Sequence, residues 1–207
     1  MGSTVGKVNE NHKLCSSPEW AERLQTNVLP YLVRDVNLGS AMLEIGPGPG
    51  AATEWLRHRV QRLVTLESDH EAAERLVTTY ADTNVTTLVG DATAMDFEDA
   101  SFDSVGSFTM LHHVPSAALQ NLLLSEVLRV LRPGGVLIGS DSLPSDGLHQ
   151  FHESDTYNPI EPGTLIVRLQ TLGFDKFTVT VDDTLKFIAY KSGHSAVASL
   201  KSPLVAK

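Results

Sequence analysis

The chain has 207 residues, of which 42% are hydrophobic and 20% charged, enough apolar material for one globular domain with a sizeable core. A formal net charge of −9 argues against a nucleic-acid phosphate surface, and the single cysteine, Cys15, excludes an intramolecular disulfide framework and any multi-cysteine metal site. The polar stretch Met1 to Lys13 lacks the apolar core of a signal peptide. No run approaches the roughly 20 apolar residues of a membrane span, so the cytoplasm is the expected compartment.

Residues 1–14 are polar and small and are expected to form a mobile arm. Ser17-Pro18-Glu19 supplies an N-cap, a first-turn proline and an early acid. The helix it opens would carry Trp20, Leu24 and Val28 on one face, with Trp20 packed on a sheet, or less commonly serving in a lid. Met42 to Ile45 reads as a first strand, and Gly46-Pro47-Gly48-Pro49-Gly50 as a tight loop before an alanine-rich helix. Three alternate glycines mark main chain that a ligand approaches without a Cβ in the way. The interleaved prolines remove N–H donors, which weighs against a phosphate ligand. A second strand over Leu63 to Glu67 ends in a carboxylate. In a doubly wound fold that end lies beside the glycine loop, and an acid there suits a ribose diol; Glu67 follows Gly50 by 17 residues.

Ser68 or Asp69 caps the next helix, with Ala72, Ala73, Leu76, Val77 and Tyr80 inward. Val85 to Val89 forms a third strand closed by Gly90-Asp91-Ala92, and a fourth runs from Val105 to Phe108 before Thr109-Met110-Leu111-His112-His113-Val114. Pro115-Ser116 opens an amphipathic helix with Leu119, Leu123, Val127 and Leu131 on one face; Arg132-Pro133-Gly134-Gly135 ends it. A fifth strand covers 136–139. Residues 141–161 read as a cap, and a helix then runs to the Gly173 stop with Leu165, Ile166, Leu169 and Leu172 inward. Phe177, Val179 and Val181 pair with Leu185, Phe187 and Ala189 in a hairpin turning at Asp182-Asp183. Residues 192–207 are expected to be a loose tail. The whole predicts one α/β domain over 1–207, a Rossmann-like doubly wound sheet of seven strands, mostly parallel with an antiparallel last strand.

Glu-x-Gly-x-Gly-x-Gly after the first strand resembles the nucleotide loop of class I S-adenosylmethionine-dependent methyltransferases. The run from Leu-His-His-Val through Leu-Arg-Val-Leu-Arg-Pro-Gly-Gly-Val-Leu is similar to their small-molecule subgroup, quinone and sterol enzymes included. The G-x-G-x-x-G spacing of dinucleotide folds does not fit. The resemblance implies that Gly46, Gly48 and Gly50 pass under the cofactor while Glu44 fixes the loop and the methionine portion. It implies too that Asp91 accepts from the adenine amine, that the Ala92 amide reaches a ring nitrogen, and that Thr109 and His112 complete the pocket.

Methyl transfer to a hydroxyl requires loss of a proton, a task that suits histidine. His149, His152 and His113 are the candidate bases. Alternatively Asp141, His149, His152 and Asp155 would hold a divalent cation such as Mg. The polar, histidine-rich cap favours O-methylation of a small hydroxylated acceptor, sugar or phenol. Carbon or nitrogen transfer to a quinone, lipid or other small molecule is the alternative, and a non-catalytic adenosyl-ligand-binding protein is the rival from another class. A small-molecule acceptor, and a homodimer, are the expected partners; nucleic acid is not.

Overall fold

The first strand, β1 (Ala41–Ile45), is buried at all five positions and alternates strictly between two cores. Leu43 and Ile45 join a cluster on one face of the sheet, while Met42 joins the cluster on the other, the period-2 behaviour of a central strand. The computed structural model describes residues 17–153 and 155–193; the expected arm over 1–14 and all of the expected tail beyond Gly193 lie outside the described residues.

The remaining strands are β2 (Arg62–Glu67), β3 (Val85–Val89), β4 (Phe102–Phe108), β5 (Leu131–Asp141), β6 (Phe174–Val181) and β7 (Leu185–Lys191). They form one seven-stranded sheet in the order β3-β2-β1-β4-β5-β7-β6. The first five run parallel, and β7 pairs antiparallel with both β5 and β6. The order reverses between β1 and β4, so the crevice beyond their carboxyl ends is where an open α/β sheet binds its ligand.

Helices cover both faces. On one lie α5 (Ala117–Val130) and α7 (Pro162–Leu172), which contribute Leu123, Leu124, Val127, Leu165 and Leu169 to the core. On the other lie α1 (Pro18–Arg23), α2 (Leu29–Val33) and α3 (Ala51–Leu56). Ser17 caps α1 through its side chain, as expected, and Ser116 does the same for α5. The helix α4 (His70–Thr79) follows β2, capped by Asp69, which accepts from Ala72 N–H at 2.7 Å.

Several details depart from expectation. A π-helical turn at Leu24–Val28 separates α1 from α2, so the first helix is not regular. Val77 and Ile166 point outward, 55% and 40% exposed, because only a narrow stripe of α4 and α7 faces the sheet. The amphipathic helix stops at Val130, and β5 begins at Leu131, five residues earlier than the apolar run suggested. The cap contains a helix of its own, α6 (Asp146–Phe151).

Candidate active site

At the switch point the three alternate glycines all take positive φ, 60°, 54° and 88° for Gly46, Gly48 and Gly50. A Cβ on Gly46 would overlap the side chain of Met110, whereas one on Gly48 would meet nothing within 4 Å. Gly46 is therefore required by packing and Gly48 by conformation, and Gly48 leaves main chain open to the cavity. Across the crevice, Thr109 also sits at positive φ, 54°, at the end of β4, with its N–H donated to Ser140 O at 2.7 Å. A non-glycine residue held there stores strain, a feature of ligand sites.

The loop and the ends of β2, β3 and β4 enclose a cavity of about 600 Å³. Of the expected cofactor residues, Glu44, Gly46, Gly48, Glu67, Asp91, Ala92 and Thr109 line it. Gly50 serves from behind, its carbonyl accepting from the buried Tyr80 hydroxyl at 3.0 Å. His112 is not on the wall; its neighbour His113 is. Trp20 and Leu24 also line the cavity, so Trp20 contributes to its wall. Sequence reasoning gave no cavity role to Leu24, Met110 or Arg75, since each arrives from an element whose placement is a tertiary matter.

The carboxylates differ in their duties. Glu67 Oε2 accepts from Gly48 N–H at 3.1 Å, and Oε1 accepts from Ser68 N–H at 2.8 Å and Asp69 N–H at 3.1 Å. It thereby fastens the glycine loop to the β2–α4 turn, and a carboxylate's further lone pairs remain for a diol. Asp91 Oδ1 accepts from the Thr93 amide and hydroxyl at 2.8 and 2.7 Å, which fixes the side chain at the end of β3. Glu44 lies deepest. Burial raises its pKa from the usual carboxylate range to about 7, opposed by a 2.7 Å hydrogen bond from the Thr53 hydroxyl and reinforced by the nearby charge of Glu67.

The chemistry of this wall tests whether an S-adenosylmethionine-type ligand fits. Glu44, Glu67, Asp69, Glu71 and Asp91 outnumber the single lining cation Arg75, so the field favours a cationic sulfonium and ammonium over a phosphate. The volume lies in the range of small-molecule sites. Glu44 and the glycine loop would hold the amino-acid portion, Glu67 the ribose, and Asp91 with Ala92 the base.

Beside the β4 end a second group gathers. The short 3₁₀ turn Leu111–His113 brings His112 Nδ1 to 2.6 Å from Asp141 Oδ1 at the end of β5, both side chains buried. His152, just past α6, stacks on Tyr157 with centroids 4.5 Å apart and comes within 5.1 and 5.3 Å of the His112 and His113 rings. The expected cation set is not what converges. Asp141 is committed to His112 and to the Ser142 amide, and the ring of His149 packs edge-on against Tyr157. Among the described residues the group with ligand-like geometry is His112, His113 and His152, and neither His149 nor Asp155 belongs to it. Of the three candidate bases, His113 alone lines the cavity.

Sheet order, glycine loop and strand-end acids resemble those of class I S-adenosylmethionine-dependent methyltransferases, and residues 43–139, just under half of the chain, match the "Methyltransferase domain" family model. A malonyl-[acyl-carrier protein] O-methyltransferase of Coxiella burnetii is 30% identical over 73% of this chain and 51% of its own length. A sterol 24-C-methyltransferase of Yarrowia lipolytica is 32% identical over 60% and 31%. The chain thus spans about half or less of the length of these curated relatives. Among solved structures, the PH0226 protein of Pyrococcus horikoshii shares the fold, with a TM-score of 0.73 at 17% identity over 90% of this chain and all of that one.

Proposed function

We propose that the chain transfers the methyl group of S-adenosylmethionine to a small hydroxylated acceptor with an apolar body, phenol-like rather than sugar-like. The observation that carries this is that His113 shares the wall of one cavity with the apolar side chains of Trp20, Leu24, Phe108, Met110 and Leu123, which suit an apolar ring. When bound, the cofactor supplies an electrophilic methyl carbon on a cationic sulfur. The chain's share is to hold and align both partners, which is worth about 7–11 kcal/mol. Trp20 and Leu24 line one side of the cavity, and the His113 imidazole orients the acceptor hydroxyl, whose proton passes to solvent. The acidic wall from Glu44 to Asp91 holds the cationic donor.

A carbon acceptor is the second reading, favoured by relatives named for it: the Yarrowia sterol enzyme, and a ubiquinone/menaquinone C-methyltransferase of Dinoroseobacter shibae, 32% identical over 51% of this chain. The test is incubation with methyl-labelled cofactor and a panel of phenols, sugars and quinols. Label transferred to phenolic oxygen, and abolished by His113→Ala with cofactor binding intact, supports the proposal. Transfer to ring carbon supports the second reading; cofactor binding without any transfer supports an adenosyl-binding role. Residence in the cytoplasm is the compartment proposed for it; among the described residues no helix is long and apolar enough to cross a membrane.

A further inference from the structure

We propose that His112, His113 and His152 form a binding site for a divalent transition-metal cation of the zinc type. His113, the one of the three that lines the cofactor cavity, links the site to the function proposed above, and that link rests on that reading; the binding itself does not.

Each of the three histidines offers one ring nitrogen, and the three nitrogens lie within 4.8 Å of one another. They come from two segments about forty residues apart in sequence, the turn after β4 and the end of the cap helix α6, and a modest side-chain adjustment would bring them to a common ion at imidazole–metal distance, about 2.0–2.1 Å.

The neighbours of two rings set which nitrogen is left to bind. His152 Nδ1 lies 2.7 Å from the Leu148 carbonyl oxygen, which can only accept, so Nδ1 carries a proton and Nε2 presents its lone pair. His112 Nδ1 lies 2.6 Å from Asp141 Oδ1, and that carboxylate also accepts from the His112 and Ser142 amides, the surroundings of an ionised acceptor. His112 Nδ1 therefore donates, and its Nε2 is likewise turned to acceptor duty. A carboxylate on one ring and a backbone carbonyl on another are the outer partners that metal-binding imidazoles characteristically have, fixing ring orientation and raising basicity. Stacking of His152 on Tyr157 adds a further restraint on its ring.

The donor set decides the metal class. Three nitrogens and no carboxylate oxygen suit Zn(II), Co(II), Ni(II) or Cu(II), and do not suit Mg, which demands oxygen ligands. A three-imidazole site leaves a coordination position for an exogenous oxygen. Since His113 lines the cavity, that oxygen can be the acceptor's hydroxyl, whose proton the cation would make easier to lose to bulk water. The competing account is a packed histidine–tyrosine cluster that needs no ion.

The experiment is calorimetric titration of Zn(II) into the chelator-treated full chain, with Co(II) absorption as a second readout. One equivalent of Zn(II) should bind, and Co(II) should give the intense visible bands of a low-coordinate nitrogen site. His152→Gln and His113→Ala should each weaken binding at least tenfold, while His149→Ala, outside the trio, should leave it unchanged. Thermal melts establish that each variant is folded. Zinc binding in the His113→Ala/His152→Gln double variant equal to that of the native chain overturns the proposal, as does the absence of a stoichiometric event in the native chain. S-adenosylhomocysteine titrated into the same samples separates the two claims: its binding without zinc binding sinks the metal site alone, and zinc binding without it sinks the cofactor reading alone.

Discussion

The Gly48 N–H donates to Glu67 Oε2 at 3.1 Å, so the tip of β2 holds the loop that follows β1. In the proposed adenosyl site the same carboxylate would also meet the ribose, which would make it part of both the loop's frame and the binding surface. Glu67→Ala should therefore weaken binding of S-adenosylhomocysteine by about 10–100-fold, the range expected for losing charge-assisted hydrogen bonds. It should also speed hydrogen exchange at Gly48. Calorimetry and exchange read the two effects; a loss of affinity with Gly48 exchange unchanged would assign Glu67 to the ligand alone.

Glu44 gives the protein a pH signature. Its folded pKa is about 7 against 4.5 for the ordinary carboxyl, so the native state binds this proton more tightly than the unfolded chain. The resulting stabilisation is complete below pH 4.5 and is lost as pH rises through 7, a difference of about 3 kcal/mol at most. Glu44→Gln keeps an acceptor for the Thr53 hydroxyl and removes the titration. Denaturant unfolding across pH 4.5 to 8 should show the native chain losing stability relative to the variant as pH rises; parallel curves would contradict the assignment.

Gly46 has no room for a side chain. Gly46→Ala combines a φ of +60° with overlap on Met110, and it should cost about 1–3 kcal/mol of stability. Gly48→Ala meets no neighbour and carries the conformational strain without the overlap, so its melting temperature should fall less. Equal shifts in the two variants would remove the packing role given to Gly46.

Trp20 reports on the cavity. The segment that carries it is tied to the β6–β7 hairpin by Arg23 to Asp183 at 2.7 Å and by Tyr31 to Thr180 at 3.1 Å, and Gln25 donates to Ala51 O at 2.8 Å. With the other tryptophan removed as Trp55→Phe, emission from Trp20 should shift on adding S-adenosylhomocysteine. Trp20→Ala should lower affinity about tenfold through lost apolar burial. An unresponsive Trp20 would place it outside the site.

Most of the cavity wall was legible because strand ends are fixed by local pattern. Glu44, Glu67 and Asp91 close three apolar runs, and parallel strands joined by helices bring such ends to one edge of the sheet. The histidine cluster beside it was not, since it is made by contacts between distant segments. Asp141 and His112 were each noticed, but their 2.6 Å pairing depends on β5 lying beside β4. His149 and His152, three apart, suggested a common task, and both rings do touch Tyr157, yet only His152 reaches the other two histidines. Hydrophobic spacing likewise over-counted the buried faces of α4 and α7, because Val77 and Ile166 fit the period but lie beyond the stripe that touches the sheet.

The central claim is that the cavity at the β1–β4 switch point is an adenosyl site. Calorimetric titration of S-adenosylhomocysteine into the native chain and into Asp91→Ala tests it most directly. The account predicts one equivalent bound by the native chain and affinity at least tenfold weaker in the variant, with melting temperature little changed. No binding to the native chain, or the same affinity in both, would contradict it.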